Sequence, residues 1–451
     1  MNFMYRICFG LLLAITALPV ARAQSPDADS APPLLTLDEA VRIATGNNRD
    51  IHISELNVIK ARETVAQTRT NYFPKLDTNV LAGVPLQPLN FTVPAGSFGT
   101  YPATGPIPAT NSSIRSPVRI GAFIDASAAQ PLTQLYKVKL AVEQARLGTD
   151  LAREGVRGQE QEITRQVKDA YYQLAQLQTQ VESAKATVHA LMALSTVMEQ
   201  RLSAQTVLVS DSLTVKARLK QQRYQLLVLQ NDSEVQKQSL NHLLGRDLRT
   251  QFTVEMQPAQ DTAESDLEIA RKQALEQRPE LREARLQTKS AQLEVRRERA
   301  EYIPDLSLSV NYLSFQNVNF LPQNAGSAGF SLKWQPFDWG YKKHRIRELK
   351  AATEQTVLTE QDAEQRVLLD VDDKFRKLGE ARMLMEAETD AREAAQVKLR
   401  EVTDRFTQQS ALLPDLLQQQ SVATQSDAQY QQALAGFWTA RAEFEKAIGA
   451  N

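Results

Sequence analysis

The chain has 451 residues, 23% of them charged, with a formal net charge of -1. That balance gives no basis for non-specific attraction to nucleic acid, and a single cysteine, Cys8, excludes an intramolecular disulfide or a multi-cysteine metal site. Aromatic content of 6% and only 17 glycines suit long helices better than a mixed core, although the length would allow two or three ordinary domains.

Residues 1–23 read as a secretory signal: Arg6, an apolar run from Ile7 to Val20, then Ala21-Arg22-Ala23 as the cleavage site. No later run of 18 apolar residues exists, so no transmembrane helix is predicted. An exported chain of this kind is soluble in the periplasm, secreted, or a membrane β-barrel. Residues 24–33 form a polar, flexible tether. A first repeat spans 34–245. It opens with a helix over 36–72, where Thr36 and Glu39 make a capping box and Gly46-Asn47-Asn48 suggests a bend or interruption. Strands follow at 75–85 and 117–130, separated by a long exposed loop, Leu86 to Pro117, rich in Pro, Gly, Ser and Thr. A long helix over 133–206 and a return helix over 212–244 complete the repeat, with Gly245 as the stop.

The long helix organises the rest. Ile163, Val167, Ala170, Leu174, Leu177, Val181, Ala184, Val188 and Leu191 alternate spacings of four and three, the seam of a left-handed coiled coil. No Pro or Gly lies between Gln159 and Leu244. At 1.5 Å per residue the rod is on the order of 110 Å long, too long for a compact domain to hide.

After a linker at 246–265 the pattern recurs over 266–451. Its helix is predicted at 266–302, strands at 305–320 and 329–338, a long helix at 341–408 and a return helix at 415–448. An offset of 230 residues lays Leu37–Val80 on Leu267–Val310 with 11 of 44 positions identical, Tyr72/Tyr302 and Pro74/Pro304 among them. Gln130-Pro131 matches Gln335-Pro336, and an offset of 204 then pairs Arg201 with Arg405, Asp211 with Asp415 and Gly245 with Gly449. Pro74, Pro131, Pro304 and Pro336 thus mark the helix–strand junctions.

Alternation in the strands fits a soluble sheet with one buried face or a membrane barrel. With only four strands, no second sheet to cover them, and Phe337 and Trp339 at a strand end, the membrane reading is preferred. Four strands cannot close a barrel, and lipid tolerates no open edge, so several chains must contribute. Two, three or four copies all remain open at this point.

The signal, the tandem repeat, Tyr72-Phe73-Pro74 with Tyr302-Ile303-Pro304, and Arg405-Phe406 through Asp415-Leu416-Leu417 together resemble the TolC family of outer membrane efflux proteins, over about residues 34 to 450. The resemblance implies a mainly α fold with a membrane β-barrel portion: a homotrimer whose four strands per chain make a twelve-stranded barrel, continued by an α-helical coiled-coil barrel in the periplasm. It implies the outer membrane channel of a tripartite efflux or type I secretion system, with a periplasmic adaptor and an inner membrane pump as partners. A soluble periplasmic coiled-coil scaffold or adaptor is the alternative, but the lipoyl-like and β-domain segments an adaptor needs are not found.

The resemblance also places the periplasmic tip at the two helix turns. Asp415 carries over to a ring of carboxylates narrowing the entrance, with Asp211 as its first-repeat counterpart. Three carboxylates on one axis would repel each other and attract cations, whereas either aspartate could instead cap its helix. The second ring aspartate corresponds here to Gln418. The adaptor-docking turns become Ala204-Gln205-Thr206 and Gln408-Gln409-Ser410, where the family usually has glycine at Gln205 and Gln409. Arg201 and Arg405 are expected to tie the closed tip through inter-helix salt bridges or to lie on a solvated face. His52, His189, His242 and His344 are too dispersed for a metal site, and no phosphate loop or nucleophile elbow is present. Neither an enzyme nor a cofactor is expected.

Overall fold

A computed structural model describes residues 32–84, 86–116, 118–256, 266–316, 323–408 and 410–450. The signal, most of the tether, residues 257–265 of the linker and Gln409 lie outside them. In chain order the elements are α1 (Leu37–Asn47), α2 (Arg49–Arg69), β1 (Lys75–Gly83), β2 (Leu89–Val93), β3 (Thr100–Tyr101), β4 (Gly105–Pro106), β5 (Ser112–Ser116), β6 (Gly121–Pro131), α3 (Leu135–Ser203) and α4 (Val209–Leu243). The second half supplies α5 (Leu267–Gln277), α6 (Pro279–Ala300), β7 (Asp305–Gln316), β8 (Asn324–Lys333), α7 (Tyr341–Thr407) and α8 (Leu413–Ala447).

The seam residues of α3 from Ile163 to Leu191 are buried apart from Leu177, which is half-buried. Ile163, Val167, Ala170 and Leu174 of this seam join α1, α4 and α8 in one apolar cluster with Phe252, Phe437 and Trp438 at mid-length. Toward the turns the helices pack in the order α4, α3, α8, α7, and toward the sheet in the order α2, α3, α6, α7, so each half of the helical part is a wall, a row of four.

Each repeat breaks its first helix in two, the second where an uninterrupted helix is expected from the sequence. At Asn48 the backbone is extended, and its amide oxygen accepts from the N–H groups of Asp50 (2.8 Å) and Ile51 (3.3 Å) to start α2. Of the bend or interruption suggested at Gly46-Asn47-Asn48, the backbone takes the interruption. The predicted helix over 266–302 breaks likewise at Arg278, because Pro279 lacks an N–H and pushes the residue before it out of the α region.

Both breaks dock on the end of a return helix. The Asn48 side-chain amide donates to the Leu243 carbonyl at 2.8 Å, and the Arg278 guanidinium donates to Ala447 O at 3.2 Å and to Asp370 at 3.0 Å. A cation there also complements the negative end of the helix dipole. Gly245 (φ +67°) and Gly449 (φ +77°) end the return helices in left-handed conformations and let the chains touch. A Cβ on Gly449 would stand 3.1 Å from the Gln277 carbonyl carbon, and one on Gly245 would overlap the Asn47 carbonyl.

The main sheet is antiparallel, in the order β1-β6-β7-β8, with β1 and β8 as open edges. Its register gathers Leu76, Val80, Ile124, Ala128, Leu308, Val310, Tyr312, Phe330 and Leu332 on one face. Asp77, Ser127, Asn311 and Ser327 form a polar row on the other. The apolar face is bare: Leu76, Phe330 and Leu332 are 78%, 73% and 63% exposed.

Three boundaries differ from expectation. The segment read as a loop from Leu86 to Pro117 carries two small hairpins, β2–β5 and β3–β4, whose short strands have too little alternation to register. The strand predicted at 329–338 runs Asn324–Lys333, because Asn324-Ala325-Gly326-Ser327 pairs with β7 despite lacking an apolar face. The linker is tied at its start: Leu35 N–H donates to Thr253 O at 2.8 Å, and Thr253 N–H to Pro33 O at 3.1 Å.

The junction between sheet and helices is braced by polar contacts. Thr133 Oγ1 donates to Pro304 O at 2.6 Å and accepts from Leu306 N–H at 2.8 Å. Lys137 Nζ lies 2.8 Å from Asp305 and 2.9 Å from Glu301. Burial disfavours that ammonium, but the two carboxylates outweigh it and its pKa is raised. Pro131 closes β6, Pro74 and Pro304 immediately precede β1 and β7, and Pro336 follows β8.

At mid-length Glu162 bridges α3 to α8 through Lys446 at 2.6 Å, and Arg165 lies 2.8 Å away. Arg165, with further help from Lys446 against burial, brings its carboxyl down to about 2. A depressed carboxyl stabilises the fold above its unfolded pKa, and the contribution is lost as pH falls through the folded value. Replacing Glu162 by Gln should therefore lower stability at pH 7 by about 1 kcal/mol after solvent screening, and the melting temperature with it. That gap should close between about pH 4.5 and about 2. Melting curves of both proteins across that range check it.

Candidate functional site

The far end of the wall, where α3 turns into α4 and α7 into α8, brings the predicted tip residues together. Met198, Val215 and Leu413 are buried there against Leu194, Val207, Phe406 and Leu417, one apolar plug shared by both repeats. The turns are built alike. Ala204 and Gln408 cap α3 and α7 through N–H bonds of 3.1 Å to Gln200 O and Asp404 O. Thr206 donates from N–H (2.9 Å) and Oγ1 (3.0 Å) to Arg201 O, and Ser410 donates from N–H (2.8 Å) and Oγ (3.0 Å) to Arg405 O.

Gln205 adopts φ +56°, the left-handed region that favours glycine. The absence of glycine noted in the sequence is thus a strained backbone. A non-glycine residue there costs roughly 1–2 kcal/mol, so Gln205→Gly should raise the melting temperature of the tip. Hydrogen exchange at Thr206 and Val207 should slow; unchanged exchange would count against strain at this turn.

The aspartates divide. Asp415 Oδ2 accepts from Leu412 N–H at 3.2 Å, so this exposed carboxylate caps α8. Asp211 lies half-buried in the first turn of α4, which has no side-chain cap. Gln418 is exposed one turn beyond Asp415.

Of the two roles open to Arg201 and Arg405, the salt bridges are not formed among the described residues. Arg201 lies instead over the Phe406 ring, 5.7 Å from its centre, joining the two hairpins by cation–π attraction. Arg405 is exposed, and its contribution to the turn is its carbonyl.

Other ties were not predicted. Arg218 Nη2 donates to Ser421 Oγ at 3.1 Å, linking α4 to α8 across the repeats. Lys216 pairs with Glu199 at 2.9 Å. Arg392 pairs with Asp427 at 2.7 Å while lying 4.6 Å over Tyr430. The two ion pairs had a usable signal, since their members are almost equidistant from a turn; the Arg218–Ser421 tie crosses repeats and had none.

Among the described residues no group of three or more His, Cys, Asp or Glu is placed to hold a metal ion. No described helix is long and apolar enough to cross a membrane.

The sequence profile of a family described as outer membrane efflux protein matches residues 40–246 and 270–450. No curated protein matches significantly in sequence. Among solved structures, the outer-membrane channel OprN superposes with a TM-score of 0.73 at 18% identity, covering 92% of this chain and 90% of that one. The outer membrane protein VceC from Vibrio cholerae gives 0.71 at 15% identity, over 92% and 96% of the two chains. The Campylobacter jejuni CmeC outer membrane channel gives 0.73 at 12% identity, over 92% and 85%.

Proposed function

The chain belongs to the outer membrane efflux protein family, and on that footing we propose that three copies close into one passive exit duct of a tripartite system. The fold is TolC-like and its place is the outer membrane. The sheets of three copies close a barrel in lipid, and the helical walls close a tunnel in the periplasm. A periplasmic adaptor docks at the turns around Gln205 and Ser410, and an inner membrane pump hands over the solute. The duct makes and breaks no covalent bonds in its cargo.

The observation that carries this reading is the sheet: one continuous apolar face, bare to its surroundings, between two edges without partners. In water that face would aggregate. In lipid the face is at home, but the edges demand further strands. A soluble coiled-coil scaffold has no use for either. Membrane fractionation and native mass in detergent test it. Extraction only by detergent, as a particle of three chains, is the expected result; a monomer soluble in plain buffer refutes it.

A further inference from the structure

In the half toward the turns the packing order leaves two lateral edges, α4 and α7, since there α4 packs on α3, α3 on α8 and α8 on α7. On α4, away from buried Ser212, Val215 and Ser233, lie Leu213, Ala217, Lys220, Tyr224 and Leu227. Their spacing alternates four and three, as in a coiled-coil seam. Leu213, Tyr224 and Leu227 are 60%, 62% and 55% exposed. On α7, an open groove of about 510 Å³ is surrounded by Asp390, Glu393, Ala394, Val397, Lys398 and Glu401. Residues at i, i+3, i+4 and i+7 are the corners of a hole that receives a knob. The first four of that set make one such hole, and the last four make the next.

The two edges can be aligned in height. Lys216 pairs with Glu199, which sets α4 against α3. The repeat offset of 204 carries Glu199 onto Thr403, and the shared apolar plug holds both hairpin tips at one level. Lys220 is therefore level with Leu399, between Val397 and Glu401, and Tyr224 is level with Ala395, next to Ala394. Rotation within a closed ring adds no rise along its axis, so these levels persist between copies. Charge agrees: Lys216, Arg218, Lys220 and Arg223 follow one another on α4 with no acid among them, and the residues around the groove on α7 carry three acids, Asp390, Glu393 and Glu401, against one base, Lys398.

We propose that this seam is a clasp between copies, in which the Tyr224 ring of one copy seats over Ala394 in the hole on α7 of the next, and Lys220 pairs with the same copy's Glu401. It rests on the three-copy reading above. Glu401 already meets Lys398 at 3.2 Å, but in an exposed pair that holds it weakly. Enclosure between two helices removes water around Lys220 and strengthens the new attraction.

The test uses the full chain in envelopes, in a Cys8→Ser background. With Tyr224→Cys and Ala394→Cys together, a short bismaleimide should give covalent dimers and trimers on denaturing gels, and neither cysteine alone should do so. Three-chain particles without cross-links overturn the clasp and leave the duct reading standing; a monomer by native mass overturns both. Independently, Lys220→Glu and Glu401→Lys should each lower the temperature at which the trimer dissociates in SDS. Their combination should recover most of the loss. A double variant no more heat-resistant than either single one overturns the pairing.

Discussion

Gly245→Ala should be among the most damaging single substitutions outside the apolar core. Gly245 sits at φ +67°, and its missing side chain is the space into which the Asn47 carbonyl fits. A left-handed conformation costs an ordinary residue roughly 1–2 kcal/mol, and forcing a methyl against packed backbone costs about 1–3 kcal/mol more. Backbone cannot rotate out of the way as a side chain would. Relief would move the end of α4 off the α1–α2 break, breaking the bond from Asn48 to the Leu243 carbonyl as well. A loss of roughly 2–5 kcal/mol should appear as a lower melting temperature and a smaller yield of assembled protein. Gly449→Ala, which meets Gln277 at longer range, should be milder. Equal melting of Gly245→Ala and the parent protein would show that this docking does not hold the repeat together.

Locking the tip should abolish transport while sparing assembly. The hairpins are held by one apolar plug, by Arg201 over Phe406, and by the Arg218–Ser421 hydrogen bond. A solute path through this end requires the plug to part, and each tie is weak enough for a docking partner to break. Cysteines in place of Arg218 and Ser421, bridged by a bismaleimide with a reducible spacer, make the last tie permanent. Cells carrying the bridged pair should export no more of the pump's solute than cells lacking the channel, and reductive cleavage of the spacer should restore export. Trimer yield should not change between the two states. Full transport through the bridged protein would refute the separation of these hairpins as the opening step.

How much of this could be read from the residues depended on whether a physical constraint left a local trace. The α3 seam from Ile163 to Leu191 did, because a period of 3.5 sustained that long has few other causes. The repeat did, because prolines at 74 and 304 answer the same need to stop a helix before a strand. The break at Arg278 was overlooked although Pro279 announced it, since the surrounding stretch has strong helix formers on both sides. The start of β8 left no trace: Gly326 and Ser327 are held in register by β7, not by their own propensity. Tip chemistry was half legible. The turn positions followed from the repeat, and Gln205 stood out as a non-glycine, but its left-handed backbone is a structural fact. Asp415 caps its helix through Leu412, three residues back, a local bond that the capping reading allows for; that Arg201 prefers an aromatic ring depends on Phe406 in the other repeat.

The open edges at β1 and β8 bear on biogenesis. A lone copy entering the bilayer would strand a row of amide and carbonyl groups in hydrocarbon on both sides, at several kcal/mol for each group left unsatisfied. No such intermediate can accumulate, so integration and association must happen as one step. Its rate should climb steeply with the supply of newly exported chains, and scarcity should send them to proteases rather than to half-built pores.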